Sequence, residues 1–116
     1  MNKREREWGW FTTLYEDDHS NHKMKKLYIY PGGKIVLQSH NERNKHWVIV
    51  KGNAKVQLND RFFTVYENEY VYIPSKMVYQ AENIGSDLLE IAETQYGTYL
   101  GEDDVVLYQP DYGVSK

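Results

Sequence analysis

The stretch VLQSHNERNKHWVIVKG, residues 36–52, carries several ligand-capable side chains between two apolar runs that alternate like β-strands. Side chains two positions apart on a strand point to the same face, so Gln38 and His40 share one face. Lys45 and Trp47 share a face of the following strand in the same way. If both faces line the inside of a barrel, these polar groups enter one cavity. The stretch is then a metal site, the remnant of a metal site, or an ordinary polar turn between strands.

The rest of the chain predicts more short strands separated by turn signals, with little room for helix. Pro31-Gly32-Gly33 is a strong breaker, and Asn59-Asp60 is the two-residue turn of a predicted hairpin. Turn signals recur about every 8 to 12 residues, which is typical of an all-β sandwich or barrel. The predicted strands lie in residues 23–30, 34–40, 46–52, 54–66, 69–74, 77–83 and 88–96.

A single domain is expected over residues 1–116, because this length buries one core of moderate size. We place the core at about residues 7–100 and a C-terminal segment at 101–116. The acidic stretch 99–113 predicts either a short helical turn or a segment laid across the barrel. Residues 15–23 are predicted to form a flexible, solvated loop.

Composition excludes several classes of protein. The formal net charge of −3 argues against a nucleic-acid binder, which usually presents a concentrated basic face. No apolar run approaches the roughly 18 residues that cross a bilayer, and the N-terminus lacks the apolar region of a signal peptide. Cysteine is absent, so the chain has neither a disulfide framework nor a thiolate ligand. A cytoplasmic protein without nucleic-acid or membrane partners is therefore expected.

Two separated motifs resemble those of the cupin superfamily. The first cupin motif runs glycine, five residues, His-x-His, four residues, Glu, six residues, glycine. The positions of this chain that match it in spacing are Gly32, Gln38, His40, Lys45 and Gly52. The second motif runs proline, one residue, glycine, two residues, His, three residues, asparagine, and the matching positions are Pro74, Lys76, Tyr79 and Asn83.

Three longer stretches, residues 31–56, 70–83 and 96–106, resemble the type II mannose-6-phosphate isomerase domain. That domain usually forms the C-terminal end of bifunctional mannose-1-phosphate guanylyltransferases. The resemblance covers about residues 7–113 and implies an all-β cupin fold, a double-stranded β-helix or jelly-roll barrel. It also implies a homodimer that pairs through its sheets, with Trp8, Trp10 and Trp47 in the core or at the dimer contact.

The resemblance implies a divalent metal, zinc or manganese, held at positions 38, 40, 45 and 79. Gln38 and His40 match the expected ligands, but Lys45 stands where the family has Glu and Tyr79 where it has His. An ammonium about 4 Å from a divalent cation opposes binding by several kcal/mol at an intermediate effective dielectric. We therefore expect no resident metal, with Gln38 and His40 as remnant ligands. Lys45 would take over the electrostatic role of the metal, its donors satisfied by the Gln38 oxygen and the Tyr79 hydroxyl.

The resemblance implies aldose–ketose isomerisation of mannose 6-phosphate to fructose 6-phosphate in nucleotide-sugar and polysaccharide metabolism. Two alternatives stay open: a non-catalytic sugar-binding cupin, and a metal-free sugar-nucleotide isomerase or epimerase with His40 as base and Tyr79 as acid. The expected ligand is a sugar phosphate or a nucleotide sugar. The predicted catalytic residues are His40, Lys45 and Tyr79, and the predicted substrate-binding residues are Gln38, Arg43 and Lys25.

Some of these side chains also have ordinary explanations. Arg43 can be a plain surface arginine in a turn rather than a bidentate phosphate ligand. Lys23, Lys25 and Lys26 either line an entrance for an anionic ligand or form a charged strand edge that discourages aggregation. Glu42 and His46 are possible replacement metal ligands, but strand parity points His46 away from the cavity.

Overall fold

In a computed structural model of the chain, residues 3–17 and 19–109 are described. Every helix or strand assigned in these residues is a β-strand, which confirms the predicted all-β class. The strands are β1 Lys3–Arg6, β2 Gly9–Asp17, β3 His22–Ile29, β4 Gln38–Ser39, β5 Arg43–Lys51, β6 Ala54–Leu58, β7 Arg61–Val65, β8 Tyr70–Ile73, β9 Tyr79–Asn83, β10 Leu89–Gly97 and β11 Val106–Leu107.

The strands form two antiparallel sheets. The six-stranded sheet has the order β1-β2-β3-β10-β5-β8, and the five-stranded sheet has the order β11-β4-β9-β6-β7. Strands that are distant in sequence therefore lie side by side, as in a jelly roll. The neighbours β3, β10 and β5 matter most for the site, because they carry inward-facing charged side chains at adjacent positions.

The core lies between the two sheets and follows the period of two that a pleated strand imposes. Along β5, Trp47 and Ile49 are buried, while Val48 and Val50 are exposed. The buried cluster takes its members from both sheets: Leu27, Ile29, Ile35, Trp47, Ile49, Ala54, Val56, Leu58, Val65, Val71, Ile73, Tyr79, Ala81, Leu89 and Ile91. Toward one end of the barrel the inward-facing positions of the same strands carry polar side chains instead of apolar ones.

The tryptophans divide between the core and its margins. Trp47 is fully buried, Trp8 is half-buried against the core, and Trp10 stacks on Tyr28 with ring centroids 4.6 Å apart. The outer face of β5 and β8 exposes apolar side chains, among them Val48, Val50, Tyr70 and Tyr72. The homodimer stays a prediction, for which this face is the surface to examine. Residues 3–17 and 19–109 contain no helix that is long and apolar enough to cross a membrane.

Three predicted boundaries are wrong. The loop predicted over residues 15–23 belongs largely to a hairpin, because residues 15–17 of β2 pair with residues 22–24 of β3. The polar turn predicted to extend to Asn44 ends earlier, because Arg43 already pairs with Gly97 of β10. The strand predicted over 34–40 shortens to β4, because the backbone of residues 34–37 bonds singly to β9 and to the C-terminal segment rather than in a ladder.

The C-terminal segment lies across the barrel, which is one of the two arrangements that the sequence predicts. β11 pairs with β4 in the five-stranded sheet. The Asp104 carboxylate accepts hydrogen bonds from the backbone N–H groups of Asn41 and Glu42, each at 3.0 Å. These contacts fix the segment over the turn that precedes β5. The part of this prediction that concerns residues 110–113 lies outside the described residues.

Candidate functional site

A cavity of about 220 Å³ opens at the end of the barrel that the C-terminal segment crosses. Its lining includes the apolar side chains of Trp47 and Leu27. All six residues that the sequence predicts for catalysis or substrate binding line this one cavity: Lys25, Gln38, His40, Arg43, Lys45 and Tyr79. The strand parity that places Gln38, His40 and Lys45 on inward faces is therefore correct.

The Lys45 ammonium is held by a carboxylate that the sequence analysis missed. Its Nζ lies 2.7 Å from the Tyr79 hydroxyl oxygen and 3.2 Å from Oε1 of Glu93, which is only 3% exposed. Glu93 also accepts hydrogen bonds from Trp47 Nε1 at 2.8 Å and from Gln95 Nε2 at 2.6 Å. Both charges of this buried pair have hydrogen-bonded partners, which is the condition for such a pair to be tolerated in an interior.

The electrostatics of the pair follow from burial and from the opposite charge. Burial opposes ionisation of Glu93, but the ammonium groups of Lys45 and Lys25, with the donors Trp47 and Gln95, lower its pKa to about 2. Burial likewise lowers the pKa of Lys45, and Glu93 acts in the opposite direction. The barrel thus holds an internal ion pair at its polar end.

Tyr79 connects Lys45 to His40. The Tyr79 hydroxyl lies 3.3 Å from His40 Nδ1, and burial raises the pKa of Tyr79 well above its ordinary value. Burial, followed by the charges of Lys45 and Arg43, lowers the pKa of His40 to about 2. At neutral pH the site therefore contains a phenol and a neutral imidazole side by side.

A neutral imidazole has one N–H and one lone pair, so two hydrogen-bond patterns are possible. In the first, Tyr79 donates its proton to Nδ1 of His40, and Nε2–H is presented to the cavity. In the second, Nδ1–H donates to the Tyr79 oxygen, and the phenol proton and the Nε2 lone pair are both free for a ligand. Lys45 donates to the Tyr79 oxygen in either pattern. The two patterns differ only in proton positions.

We expect His40 to stay neutral over the range from pH 8 to pH 5, because its pKa of about 2 lies below that range. The check is a pH titration of the histidine ring signals by NMR, with the His40 signals assigned from a His40→Asn variant. A Lys45→Gln variant removes one of the charges that lower the pKa of His40, so His40 should then titrate at a higher pH. A His40 signal that titrates near pH 6.5 in the unmodified chain would contradict this account of the site.

The remaining predicted residues have partners of their own. Gln38 Nε2 donates to the carbonyl oxygen of Val36 at 2.8 Å, and the predicted contact of Gln38 with Lys45 is wrong, because Glu93 takes that place. Arg43 is buried and donates to Gln95 Oε1 at 3.0 Å and to the carbonyl oxygen of Gly101. Its Nε lies 3.5 Å from the Asp104 carboxylate. Phosphate binding by Arg43 stays a prediction. The alternative, that Arg43 is a plain surface arginine in a turn, is wrong because its side chain is buried.

The three lysines of β3 point to different faces of the strand, because side chains alternate along it. Lys23 and Lys25 point inward, and both contact Glu102 of the C-terminal segment. Lys26 points to the outer face, where it forms an ion pair of 2.9 Å with Glu90. The prediction that Lys26 lines the entrance is therefore wrong. Only Lys25 of the three lines the cavity.

The residues present do not fit the divalent metal that the family resemblance implies. A cation already lies at one of the four ligand positions, since Lys45 Nζ contacts the Tyr79 oxygen and Glu93. Within residues 3–17 and 19–109 there is no group of three or more His, Cys, Asp or Glu side chains able to hold a metal ion. The possible replacements are also engaged elsewhere: Glu42 accepts a hydrogen bond from Thr98, and His46 packs outside on Tyr72.

Comparisons with known proteins agree with this architecture. The chain resembles the solved Schizosaccharomyces pombe Cnp3 cupin domain with a TM-score of 0.74 and 16% identity, over 84% of this chain and 69% of that one. This likeness confirms the cupin fold. At the level of sequence, the chain is 39% identical to a mannose-1-phosphate guanylyltransferase of Sinorhizobium fredii, over 87% of this chain and 19% of that protein. It is 38% identical to the alginate biosynthesis protein AlgA of Pseudomonas aeruginosa, over 93% of this chain and 22% of that protein.

The chain thus spans about a fifth of the length of the curated relatives that it matches. A family model described as mannose-6-phosphate isomerase C-terminal matches residues 2–110, nearly the whole chain. The chain belongs to the mannose-6-phosphate isomerase C-terminal family, with a cupin fold and a lysine–glutamate pair inside its barrel.

Proposed function

We propose that the barrel binds a phosphorylated sugar, a sugar phosphate or a nucleotide sugar, without a divalent metal ion. The observation that carries the proposal is the Lys45 ammonium, fixed inside the cavity by Glu93 and Tyr79. It supplies positive charge near the positions where the family resemblance implies a metal. The relatives named for mannose-1-phosphate guanylyl transfer and for alginate biosynthesis support a role in the synthesis of polysaccharide precursors.

Each part of the cavity has a task in this proposal. Lys45 and Tyr79 are preorganised donors that stabilise negative charge on a sugar oxygen. The apolar side chains that line the cavity, among them Trp47 and Leu27, pack against the sugar ring. Lys25 stands at the cavity wall, where its charge attracts the phosphoryl group. Binding therefore needs no group beyond the side chains of the chain itself.

A second candidate function is metal-free aldose–ketose isomerisation, and the position of Tyr79 between Lys45 and His40 favours it. In the second hydrogen-bond pattern, the Nε2 lone pair of His40 takes the proton from C2 of the open-chain sugar. The electron pair of that C–H bond forms the C1–C2 double bond, and the C1 carbonyl oxygen takes the phenol proton of Tyr79. Nδ1–H of His40 then returns a proton to Tyr79.

The step leaves a neutral enediol and converts the second hydrogen-bond pattern into the first. The reverse movement delivers the Nε2 proton to C1 and takes the proton from the hydroxyl of C2, which gives the ketose. A base with a pKa of about 2 abstracts a proton poorly, because the driving force for proton transfer decreases as the base becomes weaker. We therefore expect any turnover to be slow compared with that of a metal-assisted isomerase.

Calorimetry with mannose 6-phosphate and GDP-mannose, with and without a chelator, tests binding. An isomerase assay under the same conditions tests turnover. We expect binding in the presence of chelator and any turnover to be unchanged by it. His40→Asn should abolish turnover, whereas His46→Asn, on the outer face, is the matched control and should not. Turnover that requires added zinc or manganese would refute the proposal, and so would the failure of both ligands to bind.

A further inference from the structure

We propose that Lys23 and Lys25 form an anion subsite at the mouth of the cavity, and that Glu102 occupies it in the ligand-free chain. The phosphoryl group of a bound ligand then displaces the Glu102 carboxylate. This inference rests on the proposed function, because it names the part of the chain that receives the phosphoryl group of that ligand. It assigns a place in the site to Lys23 and Glu102, which the motifs do not include.

The subsite is built from two fixed lysines and one oxygen atom. Lys23 and Lys25 lie two positions apart on β3 and so share its inward face. Glu102 Oε2 lies 3.0 Å from Lys23 Nζ and 3.3 Å from Lys25 Nζ. A single carboxylate oxygen thus bridges two ammonium groups, an arrangement that a phosphoryl oxygen can reproduce.

The two sides of this contact differ sharply in burial. The side chains of Lys23 and Lys25 are 3% and 9% exposed, and their strand is held between β2 and β10. The Glu102 side chain is 64% exposed, on a segment between β10 and β11. The carboxylate can therefore be rehydrated when it leaves, but a competing anion has to outweigh the attraction of Lys25 and Lys23, which lowers the pKa of Glu102 to about 2 against the effect of burial. The lysines cannot follow it.

Removing Glu102 without a replacement leaves two neighbouring ammonium groups in a desolvated place, which is costly. Burial lowers the pKa of Lys25, and the charges of Glu93 and then of Glu102 oppose that effect, but Glu93 is already paired with Lys45 at 3.2 Å. The other contacts of Lys23 do not neutralise the pair: Glu16 reaches only Lys23, at 3.3 Å, and the Leu100 carbonyl oxygen at 2.9 Å carries no net charge. The subsite thus requires an anion that faces the cavity.

A phosphate group suits this place better than the resident carboxylate. At neutral pH it carries about 1.5 to 2 negative charges and three acceptor oxygens, against the single charge of a carboxylate. The exchange needs no unfolding of the segment, because Asp104 stays bonded to the N–H groups of Asn41 and Glu42. Only the side chain of Glu102 and the residues next to it have to move.

The test uses the full chain, inorganic phosphate as the probe, and NMR titration of the backbone amides of β3. We expect Glu102→Gln to tighten phosphate binding about tenfold, since it removes the internal competitor from two ion pairs. Glu16→Gln is the matched control, because it removes a carboxylate from Lys23 outside the cavity, and its affinity should stay near that of the unmodified chain. Adding Lys25→Met to Glu102→Gln should abolish the gain, with folding verified by circular dichroism.

Equal phosphate affinity in the unmodified chain and in Glu102→Gln would overturn the inference, and so would an equal gain in Glu16→Gln. Measuring the binding of mannose 6-phosphate to the unmodified chain and to Glu102→Gln separates this inference from the proposed function. If mannose 6-phosphate binds equally well with and without the Glu102 carboxylate, the subsite is wrong while the proposed function stands. If phosphate follows the expected pattern but no phosphorylated sugar binds, the subsite stands and the proposed function is wrong.

Discussion

Lys45→Met should destabilise the fold by about 3–5 kcal/mol at neutral pH, because it leaves the Glu93 carboxylate buried without its counter-ion. Methionine keeps an unbranched chain of similar length, so the loss of the ammonium dominates over the loss of packing. Trp47 and Gln95 still donate to Glu93, but neither neutralises its charge. Equilibrium urea unfolding, followed by tryptophan fluorescence, measures the effect.

The pH dependence of this loss has a defined sign. In the unmodified chain the pKa of Glu93, about 2, lies below its ordinary value of 4.5. The stabilisation is therefore present above pH 4.5 and is lost as the pH falls from 4.5 toward 2. In Lys45→Met the charge that most lowers this pKa is absent, so burial works to raise it. The destabilisation caused by the substitution should then shrink as the pH falls below neutrality.

Two variants control for packing and for the loss of a lysine as such. Lys26→Met removes an outer-face ammonium that lies 2.9 Å from Glu90 and should cost less than about 1 kcal/mol, as surface ion pairs do. The double variant Lys45→Met with Glu93→Gln has no buried charge left at this position, so it should be more stable than Lys45→Met alone. Similar losses in Lys26→Met and Lys45→Met would refute the importance of the buried pair, as would a double variant less stable than the single one.

Strand parity explains why the main part of the site could be predicted from the sequence. Because side chains alternate with a period of two, each strand can bury only one of two sets of side chains. Burying the other set on β5 would expose Trp47 and Ile49 to solvent. Once their face is buried, Lys45 has to be inside with them. Tyr79 follows by the same reasoning on β9, where Ala81 and Asn83 share its inward face.

Glu93 was missed although the sequence contains a signal for it. Leu89 and Ile91 alternate inward on β10, and the same count continued places Glu93 and Gln95 inside the barrel. Charged residues are rarely fully buried, so a hydrophobic pattern is normally taken to end at the first carboxylate. An inward lysine on a neighbouring strand is the reason to extend the inward alternation past that carboxylate, because a buried ammonium needs a partner of opposite charge.

The contacts of the C-terminal segment had no comparable signal. Glu102 and Asp104 lie outside any periodic run, and their partners are about 60 to 80 residues away along the chain. β1 was missed for another reason: it is a strongly charged edge strand, with no apolar face to reveal it. β2, which lies between β1 and β3, was missed because its side chains do not alternate between buried and exposed. Local pattern therefore predicted the walls of the cavity but not the segment that covers its mouth.

Introducing the two ligand types that the family resemblance implies should create a metal site. We expect Lys45→Glu combined with Tyr79→His to bind zinc or manganese, whereas the unmodified chain should not. The new carboxylate and imidazole would stand beside His40 and Gln38, both of which already line the cavity. The new carboxylate also faces Glu93, which lies 3.2 Å from the present ammonium, so a divalent cation relieves a repulsion between two buried anions.

The metal-free double variant should therefore be markedly less stable than the unmodified chain, and metal should restore stability. A metal concentration one hundredfold above Kd stabilises the folded state by about 2.7 kcal/mol. Thermal unfolding with and without a chelator measures this restoration, and calorimetry gives the affinity directly. Tyr79→His alone is the control: it adds an imidazole but keeps the Lys45 ammonium, and it should stay without metal. If the unmodified chain binds metal as tightly as the double variant, Lys45 does not exclude cations, and the metal-free interpretation of the barrel is wrong.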